Sequence, residues 1–168
     1  MHVAPRALAL ALLPALASAC DDELPQVEPS ECGPSHAVVA RVVDGDTVEL
    51  DSGEKVRYLM IDTPESTQGK NDCFGHEAAD FNRELVEGQA IALEYDKLCE
   101  DTYGRLLAYV HTTDGEINRI LVRRGYACVY SLPPNGQARE AEFLALEREA
   151  QVLGEGLWGS CAVPTCQH

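Results

Sequence analysis

The stretch from Val42 to Glu65, VVDGDTVELDSGEKVRYLMIDTPE, constrains this chain more than any other. Two short apolar runs flank turns that carry carboxylates: Asp44 and Asp46 in the first, Asp62 and Glu65 after the second. An arginine, Arg57, lies between them. Asp-Gly between alternating runs is a strong hairpin signal. Asp-Thr-Pro at the end of a strand is ordinary turn chemistry. Taken together they say more. Acids that end adjacent strands, with a guanidinium nearby, suit a hard metal ion and an anionic ligand held against it.

The same stretch sets a geometric condition. In a regular strand over Lys55–Ile61, Arg57, Leu59 and Ile61 share one face, and Val56, Tyr58, Met60 and Asp62 the other. Arg57 and Asp62 can share a site only if the strand bulges or has ended by Asp62. Pro64 restricts Thr63, so an ended strand is expected.

Periodicity places the other elements. A strand over His36–Val43 precedes the first turn, and Thr47–Leu50 returns from it. Glu77–Glu87 reads as a helix, with Ala78, Phe81 and Leu85 on one side and Gly88 as its stop. Ile91–Tyr95 and Leu106–His111 read as strands around a charged loop over Asp96–Gly104. Glu116–Arg124 is a short helix and Tyr126–Tyr130 is extended. Gln137–Leu153 is the last helix, with Phe143, Leu146, Ala150 and Leu153 as its core stripe. Leu157 and Trp158 dock after it. Five strands with a helix after the third suit an α+β fold, a closed five-stranded barrel of the oligonucleotide-binding type with about three helices packed beside it.

The first 19 residues stand outside this fold. Arg6, the apolar run Ala7–Ala17 and the small residues Ala17-Ser18-Ala19 form a secretory signal. Cys20 follows at once, and Leu16–Cys20 resembles a bacterial lipobox with Ala17 in place of the usual leucine. Either a free N-terminal Cys20 or a lipid-bearing one fits, and the cysteine count favours lipid. Of seven cysteines, six remain without Cys20, an even number suited to bridges outside the cytoplasm. The expected organisation is a signal over 1–19, an acidic tether over 20–35, a folded domain over 36–160 and a cysteine-containing tail over 161–168. Export to the cell envelope as a lipoprotein, or secretion, follows from it.

Charge limits the mode of binding. The formal net charge is -15. Setting aside the five acids of residues 20–31, and Arg6 with the signal, leaves 23 of 28 acids and 12 of 13 bases, a balance of -11. This balance argues against a broad basic face, so a polyanion would have to be held by a few placed arginines and a metal.

With these pieces in hand the chain resembles the staphylococcal nuclease-like family, the thermonucleases. The matching segments are VVDGDTVEL at 42–50, VRYLMIDTPE at 56–65, FGHEA at 74–78 and DTYGRLLAYV at 101–110. LVRRGYA at 121–127 and GLWG at 156–159 match more loosely. The resemblance implies the five-stranded barrel and calcium-dependent hydrolysis of DNA and RNA phosphodiesters, leaving a 3′-phosphate and a 5′-hydroxyl. It places metal carboxylates at Asp46 and Asp62 and a main-chain carbonyl ligand at Thr63. The glutamate beside the attacking water falls on Glu65, as base or as orienter. Phosphate-binding arginines fall on Arg57 and Arg105. Tyr103 matches a tyrosine near the substrate phosphate, and Tyr130 one that stacks a base. Leu132 and Pro133 depart from the family where a second aromatic is expected.

The physics agrees. Calcium accepts hard oxygens in irregular geometry, and forked guanidiniums match the equatorial oxygens of a pentacovalent phosphorus. Asp44 is expected to shape its turn, and Asp101 to cap its loop rather than support the metal. A compact cleft reaching a backbone from one side favours single-stranded nucleic acid, with the chain acting as a monomer. Cys73 and Cys99 flank the loops that frame the site and are the first pair expected, among 15 connectivities for six cysteines. Without a CxxC pair, zinc is the lesser alternative. A non-catalytic binding barrel and a disulfide-stapled envelope domain are the rival functional readings.

Overall fold

The computed structural model describes residues 23–67 and 69–165. The expected signal segment, Cys20 and Cys166 lie outside them. The chain runs β1 (His36–Val42), β2 (Thr47–Leu50), β3 (Lys55–Tyr58), β4 (Ile61–Asp62), α1 (Gly75–Val86), β5 (Ala90–Glu100), β6 (Leu106–Thr112), β7 (Gly115–Glu116), α2 (Ile117–Arg123), β8 (Cys128–Val129), α3 (Glu140–Leu153) and the single turn α4 (Leu157–Ser160).

Five of these strands close a mixed barrel. The sheet order is β3-β2-β1-β5-β6-β7, and β3 also pairs with β6. That last pairing is parallel, with Val56 opposite Leu106, Arg57 opposite Leu107 and Tyr58 opposite Ala108. Closure removes the sheet edges. It also decides the site, because it sets Arg57 beside a residue two positions from Arg105. The interior is filled by Val39, Val48, Leu50, Val56, Ile91, Leu93 and Val110, each essentially without exposure. The expected α+β barrel with helices beside it is the observed architecture.

Several expected elements differ. The third strand does not run to Ile61. It ends at Tyr58, turns at Leu59 and Met60, and resumes as β4, which pairs with β8. Met60 takes a left-handed backbone, φ 65°, and this turn, rather than Pro64, ends the strand. β5 extends to Glu100 through residues expected to be loop, with a register shift against β6 between Tyr95 and Glu100. On α3, Phe143 and Ala150 are buried, but Leu153 is 65% exposed at the helix end and is not part of the core.

The disulfides also differ from expectation. Cys99 bonds Cys32 and Cys73 bonds Cys161; Cys128 is disulfide-bonded as well. Cys73 sits just before α1, where the chain's end returns: Phe74 and Trp158 pack against Leu157, Cys128 and Cys161. Cys99 lies near the end of β5 and meets the segment entering β1. The last residues of the expected tether are thereby fastened, and Tyr95 adds to this by donating its hydroxyl to the Pro34 carbonyl at 3.0 Å.

The two loosely matching segments meet at a backbone crossing. Leu157 N–H donates to the Gly125 carbonyl at 2.8 Å. Gly125 has φ 68°, and a Cβ there would lie 2.2 Å from the Glu155 carbonyl oxygen. Neither chain can yield without breaking the dock of α4. Gly125→Ala is therefore expected to destabilise the fold by roughly 3 kcal/mol, combining left-handed strain with overpacking. Urea unfolding checks this; an unchanged midpoint would refute the crossing as a constraint.

Candidate active site

Arg57 is the centre of the site. It is 7% exposed, and a buried guanidinium is tolerated only when its donors are met. Nη1 donates to the Tyr58 carbonyl at 2.8 Å and the Ile61 carbonyl at 2.7 Å. Nη2 donates to Asp62 Oδ1 at 2.9 Å, and Nε lies 3.2 Å from Asp46 Oδ1. The alternation conflict is resolved here. The left-handed turn at Met60 points the carbonyls on either side of the break at Arg57 and returns Asp62 to its side.

Asp46 joins the two motif turns. Its Oδ2 accepts the Thr63 main-chain N–H at 2.8 Å and the Thr63 hydroxyl at 3.0 Å, while Oδ1 accepts the Thr47 hydroxyl at 3.1 Å. Gly45 permits this approach, since a Cβ there would lie 2.6 Å from Thr63 Oγ1. Asp44 shapes the turn as expected, accepting the Asp46 N–H at 3.1 Å. Burial, and next the adjacent Asp46 carboxylate, push the Asp44 carboxyl up to about 7.

Arg105 is held from below β6. Asp101 Oδ1 accepts the main-chain N–H groups of Tyr103 and Arg105 at 2.8 and 3.0 Å, and Oδ2 takes Arg105 Nε at 2.6 Å. Burial alone would raise the Asp101 carboxyl, but these bonds from Arg105 and Tyr103 outweigh it and hold it below the usual range. Asp101 thus caps its loop and orients a guanidinium at once. Tyr103 is 85% exposed, with the Arg105 guanidinium 5.6 Å from its ring centre.

Glu65 is placed by the loop that follows it. Its main-chain N–H donates to Asp72 Oδ2 at 3.2 Å, and the Asp72 N–H returns a bond to the Glu65 carbonyl at 2.9 Å. Thr67 donates its hydroxyl to Glu65 Oε2 at 3.3 Å. Cys73, next to Asp72, staples this loop to Cys161.

Asp46, Arg57, Asp62, Thr63, Glu65, Tyr103, Arg105 and Tyr130 all line one cavity of about 670 Å³. Sequence reasoning missed the residues that hold its walls. Three buried asparagines do so. Asn82 of α1 accepts the Tyr58 hydroxyl and donates to the Asp44 carbonyl. Asn118 of α2 donates to the Leu59 carbonyl and accepts the Val110 N–H. Asn135 exchanges two bonds with the Leu98 backbone. For Asn82 and Asn118 the available signal was an amide inside an apolar helical pattern, which reads more readily as a surface residue; Asn135 sits in the Pro-Pro-Asn-Gly turn, where it reads as turn chemistry.

The cavity is rich in negative charge. Asp44, Asp46, Asp62, Glu65, Glu100 and Asp101 line it against Arg57 and Arg105. Among the described residues no three His, Cys, Asp or Glu side chains gather closely enough to hold a metal by themselves. The donors on offer are two carboxylates, Asp46 and Asp62, and the Thr63 carbonyl. All are hard oxygens, and six carboxylates face only two guanidiniums across the cavity. The set fits a hard divalent ion that completes its shell with water, and it does not fit a soft one.

Comparison with known proteins shows the family. Residues 55–160 match the sequence profile of the family described as staphylococcal nuclease homologue. The match begins after Asp46. The chain is 35% identical over 127 residues to a thermonuclease of Staphylococcus hyicus, covering 73% of this chain and 75% of that protein. It is 36% identical over 126 residues to a thermonuclease of Staphylococcus intermedius, covering 72% and 74%. It is 38% identical over 133 residues to the endonuclease YncB of Bacillus subtilis (strain 168), covering 74% and 62%.

The Asp44 carboxyl makes stability depend on pH. Its folded value, about 7, lies above the ordinary 3.8, so the folded state binds the extra proton. Stability is then lost as pH rises between these values, by up to a few kcal/mol above pH 7. Without divalent cations, Asp44→Asn should melt several degrees above the parent at pH 8, with the gain gone by pH 4. A gain that ignores pH would contradict this assignment.

Proposed function

The chain belongs to the staphylococcal nuclease homologue family, and from that premise we propose that it is an exported, calcium-dependent nuclease cleaving DNA and RNA to 3′-phosphate and 5′-hydroxyl ends. That it is a hydrolytic nuclease acting on nucleic acid rests on the family itself. The observation that carries the finer reading is the buried Arg57 guanidinium bridging Asp46 and Asp62 in the cavity that also holds Glu65 and Arg105.

The residues divide the work. Asp46, Asp62 and the Thr63 carbonyl would hold calcium, which supplies positive charge to polarise a phosphate oxygen and draw the substrate into an acidic cavity. Arg57 and Arg105 bind the non-bridging oxygens, and their forks match the charge that gathers there as phosphorus becomes five-coordinate. Glu65 accepts a hydrogen bond from the attacking water and takes its proton as the P–O bond forms. The P–O5′ bond then breaks, and the leaving oxygen takes a proton from solvent water to become the 5′-hydroxyl, while Glu65 returns its own to solvent. Tyr103 contacts the phosphate, and Tyr130 offers a face to a base. A compact cleft that reaches the backbone from one side favours single-stranded DNA or RNA.

Digestion of nucleic acid with calcium, with chelator, and by Glu65→Gln tests the reading. Activity should require calcium and fall by at least about 10²-fold in Glu65→Gln, and Arg105→Lys should lose about as much because lysine lacks the fork. A stable duplex should be cut more slowly than its separated strands. Full activity in chelator would sink the calcium assignment.

Export is proposed on the signal-like start and is supported by the disulfides of the folded domain. The chain acts as a monomer anchored through lipid on Cys20. Mass spectrometry of the mature N-terminus should find acylated Cys20; an unmodified Cys20 would leave secretion in its place.

A further inference from the structure

Glu100 is the cavity carboxylate that the reading above leaves unused. Each of the others accepts a hydrogen bond from the protein: Asp44 from Asp46, Asp46 from Thr63, Asp62 from Arg57, Glu65 from Thr67 and Asp101 from Arg105. The Glu100 carboxylate has no hydrogen-bond or ion-pair partner among the described residues. It is exposed at the end of β5, past the register shift against β6, a local irregularity of the kind that re-aims a side chain.

One wall of the same cavity is apolar and held in place. Leu98 and Leu132 line the same cavity with 46% and 38% of their surface in water, and Pro133 lies beside them. Asn135 holds this wall together. It bonds both backbone groups of Leu98, and its own N–H donates to the Leu132 carbonyl at 3.0 Å. Large apolar side chains left wet on a rigid wall invite a flat apolar surface, and a nucleobase has one. Among the described residues no lysine lines the cavity, and the arginines there are Arg57 and Arg105, both already paired with carboxylates. A second phosphate therefore has no cation waiting at this wall.

We propose that Glu100 reads the base next to the cleaved phosphate and gives this nuclease a preference for guanine over thymine and uracil. A carboxylate accepts hydrogen bonds and donates none. Guanine offers N1–H and the N2 amino group side by side on its Watson–Crick edge, a pair of donors that matches the two carboxylate oxygens. Adenine and cytosine offer one amino group. Thymine and uracil set two carbonyl oxygens around a single N–H, which the carboxylate repels. The edge is free only in an unpaired base, as single-strand cleavage requires.

This inference rests on the nuclease reading, and its test separates the two. Single-stranded oligonucleotides carry one cleavable phosphodiester flanked by G, A, C or T, and kcat/KM is measured with calcium for the parent chain, Glu100→Gln and Glu100→Ala. The parent should favour G over T by about tenfold, the scale of a good bidentate contact to a base. The ratio should shrink in Glu100→Gln and approach one in Glu100→Ala. Binding of deoxyguanosine 5′-monophosphate against thymidine 5′-monophosphate, by calorimetry with calcium, reads the same ratio without turnover. Equal treatment of the bases by the parent, or a G preference that survives Glu100→Ala, overturns the proposal. Cleavage of none of the oligonucleotides would instead count against the nuclease reading, with the binding ratio still deciding the role of Glu100.

Discussion

A buried guanidinium that cannot be left unpaired organises this molecule. Arg57 has so little exposure that most of its donors must find acceptors inside the protein. The acceptors come from both sides of a broken strand and from a separate hairpin: two carbonyls, Asp62 and Asp46. Satisfying one side chain therefore fixes the Met60 turn, the direction of β4 and the position of the first hairpin. These are the pieces that carry the hard oxygen donors. The same contact that stabilises the fold assembles the site.

The parallel pairing of β3 with β6 performs the next step. It sets Arg57 against Leu107, so Arg105 arrives at the same cavity from a segment distant in sequence. Beyond the barrel the site is held by neutral amides and staples. Asn82, Asn118 and Asn135 clamp the turn at Asp44, the break at Leu59 and the wall at Leu98. Cys73–Cys161 closes the loop that holds Glu65. Neutral clamps suit a cavity already crowded with carboxylates, since amides fix backbone groups without adding charge.

The overall acidity of the chain and its action on a polyanion are compatible for a local reason. Charge over most of the surface is screened within about 8 Å at physiological salt. What a phosphate would meet is the cavity, where two guanidiniums lie among hard oxygen donors. Under the proposed function, the carboxylates that would repel the substrate are the ones that would hold the ion.

The elements read most easily from sequence were those with strong local signals. Thr47–Leu50 was read with its observed bounds, and the helix over residues 77–87 was read to within two residues of α1. The third strand is shorter than alternation predicts because a period-two pattern cannot encode the left-handed Met60, whose carbonyl is held by the distant Tyr130 N–H. β5 was read too short because Asp96, Lys97 and Glu100 look like loop, yet pairing with β6 and the Asn135 clamp keep that segment extended. The disulfides differ from the expected pair because cysteine spacing does not encode where α4 returns. The residues of the site were legible as types, since carboxylates and arginines at turn positions carry their chemistry with them. Whether they converge depends on barrel closure, a long-range register that local pattern does not encode. Sequence by itself determined which groups are available, and tertiary pairing decided which of them meet, because convergence is set by contacts between segments that the chain's order keeps apart.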